Sequence, residues 1–366
     1  MSKILNEIAK SQDNYKKIQD NLLDGVLLYG AGFIGQWSVK YLESQRIKIS
    51  GFIDSDEKKW GKSYKNKFIF SPFDKLVKEV KVIIITSRHS VNEIKKSLHF
   101  LKAELISIDA FVIHNTSREK ILKVESFLSH DSKSLDTYHG IIKSMLSGLK
   151  SHLSTFSNNS PFFNEFGFFN RDGEIFVDAG AYVGDSLERF IWSVNGVFKH
   201  IHAFEPGKFQ FNALNIRVER LVKEWALDPE SISINNKGLS SKKGVTKIID
   251  NNNLIQTRLD DEKFSEHDIE EAQKINKVSL DEYFKKEKYT FLKVDVEGSE
   301  EELIIGGSQS IKTHKPKIAL SVYHFPTDIF SLPILCNSIN SQYTFTMRHH
   351  SSQLMDTVLY CKDQNE

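Results

Sequence analysis

The chain has 366 residues, 40% hydrophobic and 27% charged, values of globular protein and enough length for two domains. Its 49 basic and 48 acidic residues leave a formal charge of +1, so no global attraction to nucleic acid is expected. Two cysteines far apart in sequence, Cys336 and Cys361, supply neither a disulfide framework nor a zinc spacing, which fits a reducing compartment. The first residues are too charged for a signal peptide, and no apolar run approaches the roughly 20 residues a membrane span needs. A soluble, cytoplasmic protein is expected.

In chain order, residues 3–23 carry amphipathic spacing and predict a helix. Residues 26–29 then read as a strand, and Gly30-Ala-Gly-Phe-Ile-Gly35 is a full G-x-G-x-x-G followed by helical sequence. The next strand, 49–53, ends in Asp54. Strands at 82–86 and 105–108 flank a helix over 91–101. Alternating strand and helix predicts a small parallel sheet. Gly30, Gly32, Gly35 and Asp54 are thus candidates for a nucleotide site in an N-terminal domain, residues 1–113. Residues 114–170 are more polar but keep helical spacing at Ile121, Val124, Phe127 and Leu128 and at Tyr138, Ile141, Ile142, Met145, Leu146 and Leu149, and predict a helical connector. The aromatic run 162–169 closes it, either as packing for a sheet edge or as a platform for a ligand.

The third segment, 171–366, is a second α/β pattern. Ile175-Phe-Val177 is a strand, and Asp178, Gly180, Tyr182, Gly184 and Asp185 follow in a glycine-bearing turn that opens a helix. Such a turn lets backbone N–H groups approach a cofactor closely. The strand 200–204 ends in Glu205, placed to accept hydrogen bonds from ribose hydroxyls. Another strand, 290–296, delivers Lys293, Asp295 and Glu297. Alternation puts these three on one side of it, an arrangement that is costly unless paired or functional. Glu300–Glu302 read as the acidic first turn of a helix over 300–311. His324 ends the next strand, and Arg348-His-His350 the one after. A closing strand at 356–361 completes the pattern.

The wording of these segments goes further. VDAGAYVGD (177–185), AFEP (203–206), NKGLSSKKG (236–244), VSLDEYF (278–284), LKVDVEGSEEELIIGG (292–307), KPKIALSVYH (315–324), RHH (348–350) and TVLY (357–360) occur in one order. Together, over residues 160–362, they resemble the FkbM family of S-adenosylmethionine-dependent methyltransferases. The fold class expected is therefore α/β: two Rossmann-like domains joined by a helical connector. The second is a methyltransferase sheet with helices on both faces and an antiparallel strand near one edge.

The resemblance implies S-adenosylmethionine as cofactor and O-methylation of a hydroxyl, most often on a sugar or a polyketide-type product. The expected acceptor is a sugar, a nucleotide-sugar, or a growing polysaccharide or glycolipid. Cofactor binding then falls to Asp178, Gly180, Tyr182, Gly184, Asp185, Glu205 and Asn236. Asp178 either meets the methionine end of the cofactor or fixes the turn. Asn236 stands where many methyltransferases have an acid against adenine. Asp295 or His324 is the expected base, organised by Glu297 and Lys293, and Lys293 becomes a base itself if its pKa is depressed. Asp295, Glu297, His324 and His349 offer suitable metal donors, but no spacing demands a metal and none is expected.

For the first segment, Gly51-Phe-Ile-Asp-Ser-Asp with Gly61-Lys-Ser after it resembles nucleotide-binding-like domains of bacterial sugar-modifying and polysaccharide enzymes. Two other classes compete with the methyltransferase reading. One is an NAD(P)-dependent nucleotide-sugar oxidoreductase run by the N-terminal domain, although no Tyr-x-x-x-Lys follows its strands. The other is a non-catalytic scaffold that binds the cofactor or a nucleotide in glycan biosynthesis. The oligomeric state is open, a homo-oligomer included.

Overall fold

The computed structural model describes residues 3–153, 161–163, 165–166, 173–248, 259–260 and 273–364. The chain forms two compact units. One comprises Met1–Phe156 with Phe325–Thr327 and Ser351–Met355; the other comprises Ser157–His324, Asp328–His350 and Asp356–Glu366. Among the described residues, no helix is long and apolar enough to cross a membrane. Cys336 and Cys361 are buried free thiols.

The first unit holds strands β1 (Val26–Tyr29), β2 (Ile49–Ile53), β3 (Ser63–Tyr64), β4 (Lys67–Phe70), β5 (Val82–Ile85) and β6 (Glu104–Ser107). They form one sheet in the order β3-β4-β2-β1-β5-β6, parallel apart from β3, which runs against β4. β1 and β5 are buried at every position, as continuous apolar runs in a sheet covered on both faces should be. The hairpin of β3 and β4 was not legible from alternation. The N-terminal helix is two helices, Lys3–Lys10 and Gln12–Asn21, because Ser11 turns its hydroxyl onto the Ile8 carbonyl between them. The strand expected to run to residue 108 stops at Ser107. Its hydroxyl accepts from the Ala110 N–H and starts the helix Ile108–Asn115.

The helices Arg118–Leu128 and Ser132–Ser147 belong to this first unit. They bury Ile121, Val124 and Leu128 and Tyr138, Ile141, Ile142 and Met145, while Phe127 and Leu146 are half-buried and Leu149, past the end of its helix, is exposed; Ser107 donates to the Met145 carbonyl.

In the second unit the strands are β7 (Ile175–Ala179), β8 (His200–Phe204), β9 (Ile232–Asn235), β10 (Gly238–Leu239), β11 (Gly244–Ile248), β12 (Leu259–Asp260), β13 (Gln273–Val278), β14 (Phe291–Val294), β15 (Lys317–Ser321), β16 (Tyr343–His349) and β17 (Thr357–Asp363). The main sheet has the order β16-β17-β15-β14-β7-β8-β9. β17 runs antiparallel to both neighbours, while β15, β14, β7, β8 and β9 are parallel. A small second sheet, β10-β13-β11-β12, stands beside this order. The polar insert 250–275 lies outside the described residues except for Leu259–Asp260 and the first residues of β13. The helix expected over 300–311 divides into Glu300–Gly306 and Ser308–His314. At the break the backbone of Ser240 comes so close that a Cβ on Gly306 would lie 2.2 Å from its carbonyl oxygen.

Aromatic rings fill the core under β7. Phe176 stacks on Phe190 at 4.4 Å and on Phe291 at 5.0 Å, and Phe163 meets Phe176 edge-on at 5.9 Å. Phe163 and Phe166 therefore pack the sheet, which answers the question about the aromatic run for these two; Phe168 and Phe169 lie outside the described residues. Phe176→Ala is expected to destabilise this unit by about 3–5 kcal/mol. Urea unfolding followed by aromatic fluorescence measures it, and a loss under about 1 kcal/mol would contradict the central place given to this ring.

Candidate active site

β7 is the point where the sheet order reverses, with β8 on one side and β14 on the other. Ligands in open α/β sheets settle at the carboxyl ends of strands at such a point. A cavity of about 250 Å³ lies there, lined by Gly180 and Tyr182 after β7, Glu205 after β8, Gly238 and Leu239 in β10, and Lys293, Asp295 and Glu297 from β14 onward. Asp185, Ser186, Phe204, Pro206, Lys237, Val296 and Phe162 complete it.

Backbone geometry explains the glycines. Gly180 has φ +78°, and a Cβ there would stand 1.9 Å from the Asp295 carbonyl oxygen. The turns after β7 and β14 touch, and only glycine permits it. Gly184, at φ +83°, precedes the helix Asp185–Ser193. Tyr182 also has positive φ, +49°, and its N–H donates to Glu205 Oε2 at 2.9 Å. The Gly207 N–H donates to the other oxygen at 2.7 Å. A carboxylate offers about four acceptor sites, so two remain for a ligand. Burial pushes the Glu205 carboxyl up to about 7, against the pull of the Gly207 and Tyr182 N–H groups and the Lys293 ammonium.

Asp178 sits elsewhere. It is fully buried, opposite Lys293 in the β7–β14 register, 3.1 Å from its ammonium, and it accepts from the Ser186 hydroxyl at 2.6 Å. It is not among the lining residues, so of its two expected roles the structure displays the fixing of the turn. Lys293 also donates to the Gly180 carbonyl at 2.6 Å, and its ammonium lies 5.3 Å from the Phe162 ring centre. Burial lowers its pKa, but the charges of Asp178 and Asp295 outweigh this and hold it above the usual lysine value. Of the two roles expected of Lys293, the structure displays the pairing with a carboxylate, which ties β7 to β14.

The alternation expected of Lys293, Asp295 and Glu297 ends with the strand. β14 stops at Val294, and Glu297 has φ +55°, so it reaches the cavity through a tight turn and Val296 lines the cavity too. Glu300 holds that turn: its two oxygens accept from the N–H groups of Val296 at 2.8 Å and Gly298 at 3.0 Å. It is indeed in a helix's first turn, but it is buried and faces His324 as well.

His324 is buried. Burial lowers its pKa, yet the charge and contact of Glu300, with Asp295 and Glu297, raise it to about 10. The three carboxylates thus favour the protonated ring over the neutral one. Tyr323 donates to Asp295 Oδ1 at 3.3 Å.

Asn236 and the RHH segment do not line the cavity. The Asn236 amide donates to the carbonyls of Glu205 and Pro206, at 2.9 and 3.0 Å, and braces that turn. Arg348 pairs with Glu165 at 3.0 and 2.9 Å, His349 with the Thr357 hydroxyl at 2.9 Å, and His350 with the Tyr360 hydroxyl at 3.0 Å. Ser186, Phe204, Pro206 and Val296 were missed as cavity residues; Phe162 falls in the aromatic run offered as a ligand platform, and Lys237, Gly238 and Leu239 were not singled out one by one. NKGL, already singled out as a motif, was the available signal for the last three.

In the first unit, Gly30 has φ +108° and a Cβ on Gly35 would stand 2.0 Å from the Gly30 carbonyl oxygen, while the space at Gly32 is open. The Asp54 carboxylate accepts from the N–H groups of Ala31 and Asp56, each at 2.9 Å, and pairs with Lys59 at 3.0 Å. Its charge is therefore balanced within the loop.

A seven-stranded sheet with the reversed strand next to the edge, and a cavity joining the ends of β7, β8 and β14, defines a Rossmann-like methyltransferase fold. Residues 178–351 match the family model of the methyltransferase FkbM domain. Residues 22–123 match a different family, C2185-like, N-terminal. No curated protein matches the chain in sequence. Among solved structures, methyltransferase FkbM from Methylobacillus flagellatus KT is similar in fold, with TM-score 0.58 and 19% identity, covering 98% of this chain and 98% of that one. UDP-D-quinovosamine 4-dehydrogenase from Vibrio fischeri shares 26% identity over 25% of this chain and 86% of its own, with TM-score 0.21. An rRNA methylase from Streptococcus thermophilus shares 13% over 52% and 87%, with TM-score 0.32.

Proposed function

We propose that the cavity binds S-adenosylmethionine and that the chain transfers its methyl group to a hydroxyl of a sugar, free or within a nucleotide-sugar, glycolipid or polysaccharide. The observation that carries this reading is the meeting of Glu205 with Lys293, Asp295 and Glu297 around one cavity. One side holds a buried acid suited to ribose hydroxyls, the other an acidic mouth suited to a hydroxylated acceptor. We assign the chemistry to residues 171–366, with the domain at 1–113 and the helices of 114–170 outside the reacting site.

The residues around the cavity are of the types S-adenosylmethionine would need, which supports this reading. Gly180 and Tyr182 give it backbone, Glu205 its ribose acceptor, and Lys237–Leu239 the far wall. The bound cofactor supplies an electrophilic methyl. The chain's task is to aim the acceptor oxygen in line with it, which in well-oriented reactions supplies about 7–11 kcal/mol, and to take the hydroxyl proton on Asp295. Lys293 sets the distance between the turns after β7 and β14 and so the geometry of the approach.

The direct test is an assay of S-adenosylhomocysteine release against a panel of sugars and nucleotide-sugars. Release that depends on a hydroxylated acceptor is expected. Turnover with amine or thiol acceptors alone would overturn the O-methylation reading. The ribose assignment also carries a pH signature. Only the ionised Glu205 accepts two ribose hydrogen bonds, and its carboxyl is raised to about 7, so binding is fully present above that pH and lost below it. Affinity for S-adenosylhomocysteine should fall about tenfold from about pH 8 to about pH 6. Calorimetric titration across that range checks it, and a flat profile contradicts it.

A further inference from the structure

The acidic mouth contains more than proton transfer requires. His324, with a side chain only 5% exposed, directs Nε2 towards Asp295 Oδ1 and Glu297 Oε2, each 3.6 Å away, and this nitrogen makes no hydrogen bond. At 3.6 Å neither contact is a hydrogen bond. Donors bound at about 2.1 Å lie roughly 3.0 Å apart on adjacent corners of an octahedral ion and roughly 3.4 Å apart on a tetrahedral one, so a closure of a few tenths of an ångström brings both carboxylates and the nitrogen to one ion.

The other face of the ring supports the same arrangement. His324 Nδ1 is 3.0 Å from Glu300 Oε1, and Glu300 is fixed by the Val296 and Gly298 N–H groups. A carboxylate behind a histidine orients the imidazole and raises its basicity as a ligand. One ligand atom from each of Asp295, Glu300 and His324 lies within 4.8 Å of the other two, and Glu297, outside that trio, brings an oxygen to 3.6 Å from His324 Nε2. Glu297 is held at φ +55°, a backbone state disfavoured for glutamate and found at ligand clamps. Without an ion the three carboxylates around the ring favour its protonated form; a divalent ion would take the place of the Nε2 proton, which leaves to solvent, and Nε2 then offers its lone pair.

We propose that His324 Nε2, Asp295 and Glu297 hold a divalent first-row cation of the Mn²⁺ kind, with Glu300 as the outer carboxylate. A mixed imidazole and carboxylate set favours such ions over Mg²⁺ or Ca²⁺, which prefer all-oxygen sites. Binding of the cation stands on this geometry alone; its role rests on the methyltransferase reading above. In that role it binds the acceptor hydroxyl and lowers its pKa. The O–H bond breaks and the proton goes to the second oxygen of Asp295. The oxygen forms its bond to the methyl carbon as the C–S bond of the sulfonium breaks, leaving S-adenosylhomocysteine.

The test uses the full chain, stripped of metal by chelator and titrated with MnCl₂, with free Mn²⁺ read by electron paramagnetic resonance and S-adenosylhomocysteine affinity read by calorimetry on the same preparation. One saturable Mn²⁺ per chain is expected. Loss of an outer-shell partner alone costs about 10–100-fold, so His324→Gln should weaken Mn²⁺ at least about tenfold. Glu297→Gln, at a partly exposed position, should do the same and serves if His324→Gln fails to fold by circular dichroism. Absence of stoichiometric Mn²⁺ binding, or wild-type affinity in the folded variants, overturns the proposal. Mn²⁺ binding without S-adenosylhomocysteine binding would sink the methyltransferase reading and leave the cation site standing; the converse removes only the cation.

Discussion

Glu205→Ala is expected to weaken S-adenosylhomocysteine binding at least about 100-fold while leaving the fold intact. The carboxylate is proposed to accept two ribose hydroxyls, and hydrogen bonds to a charged acceptor contribute about 1.5–3 kcal/mol each. The substitution also leaves the Tyr182 and Gly207 N–H groups without the acceptor they now have, so the turn that shapes the cavity loosens. Glu205→Gln separates the two effects. It keeps a side-chain oxygen for one of those N–H groups but loses the charge, and its loss should be smaller. Calorimetry on all three proteins, with thermal unfolding as control, decides the matter. Wild-type affinity in folded Glu205→Ala would remove the ribose assignment.

Asp295→Asn should behave in the opposite way. The side chain is near-isosteric and lies at the acceptor end of the cavity, so cofactor affinity should stay within about twofold. Turnover should fall about 10²–10⁴-fold, the usual worth of a positioned proton acceptor. The reason to expect Asp295 and not His324 is electrostatic: Glu300, Asp295 and Glu297 favour the charged imidazole over the neutral one. Single-turnover rates with saturating cofactor measure the effect. Full activity in Asp295→Asn would move the proton to Glu297.

Much of this site was legible because its residues sit at strand ends, where a period of two and a following glycine say where the chain turns. Gly180, Glu205 and Asp295 were found that way, and the structure brings them to one cavity. What failed did so where the strand stops. Glu297 leaves the extended conformation, so counting by alternation no longer tells where it points. Asp178 looked like a cofactor ligand because it precedes the glycine turn, but its partner Lys293 is a cross-strand neighbour set by register, which one sequence does not print. Asn236 and Arg348 are polar residues beside the site whose hydrogen bonds go to a backbone turn and to Glu165. In the first unit the G-x-G-x-x-G was read correctly as strand, turn and helix, while the neutralisation of Asp54 by Lys59 is a tertiary contact within its loop.

The central claim, that the cavity after β7 is a cofactor site for methyl transfer, is tested most directly by calorimetric titration of the wild-type protein with S-adenosylhomocysteine, with NAD(H) and a nucleotide-sugar as parallel titrants. Saturable binding of one S-adenosylhomocysteine per chain is the expected result. No such binding, together with saturable NAD(H) binding, would contradict the account and make the N-terminal unit the working part of the molecule.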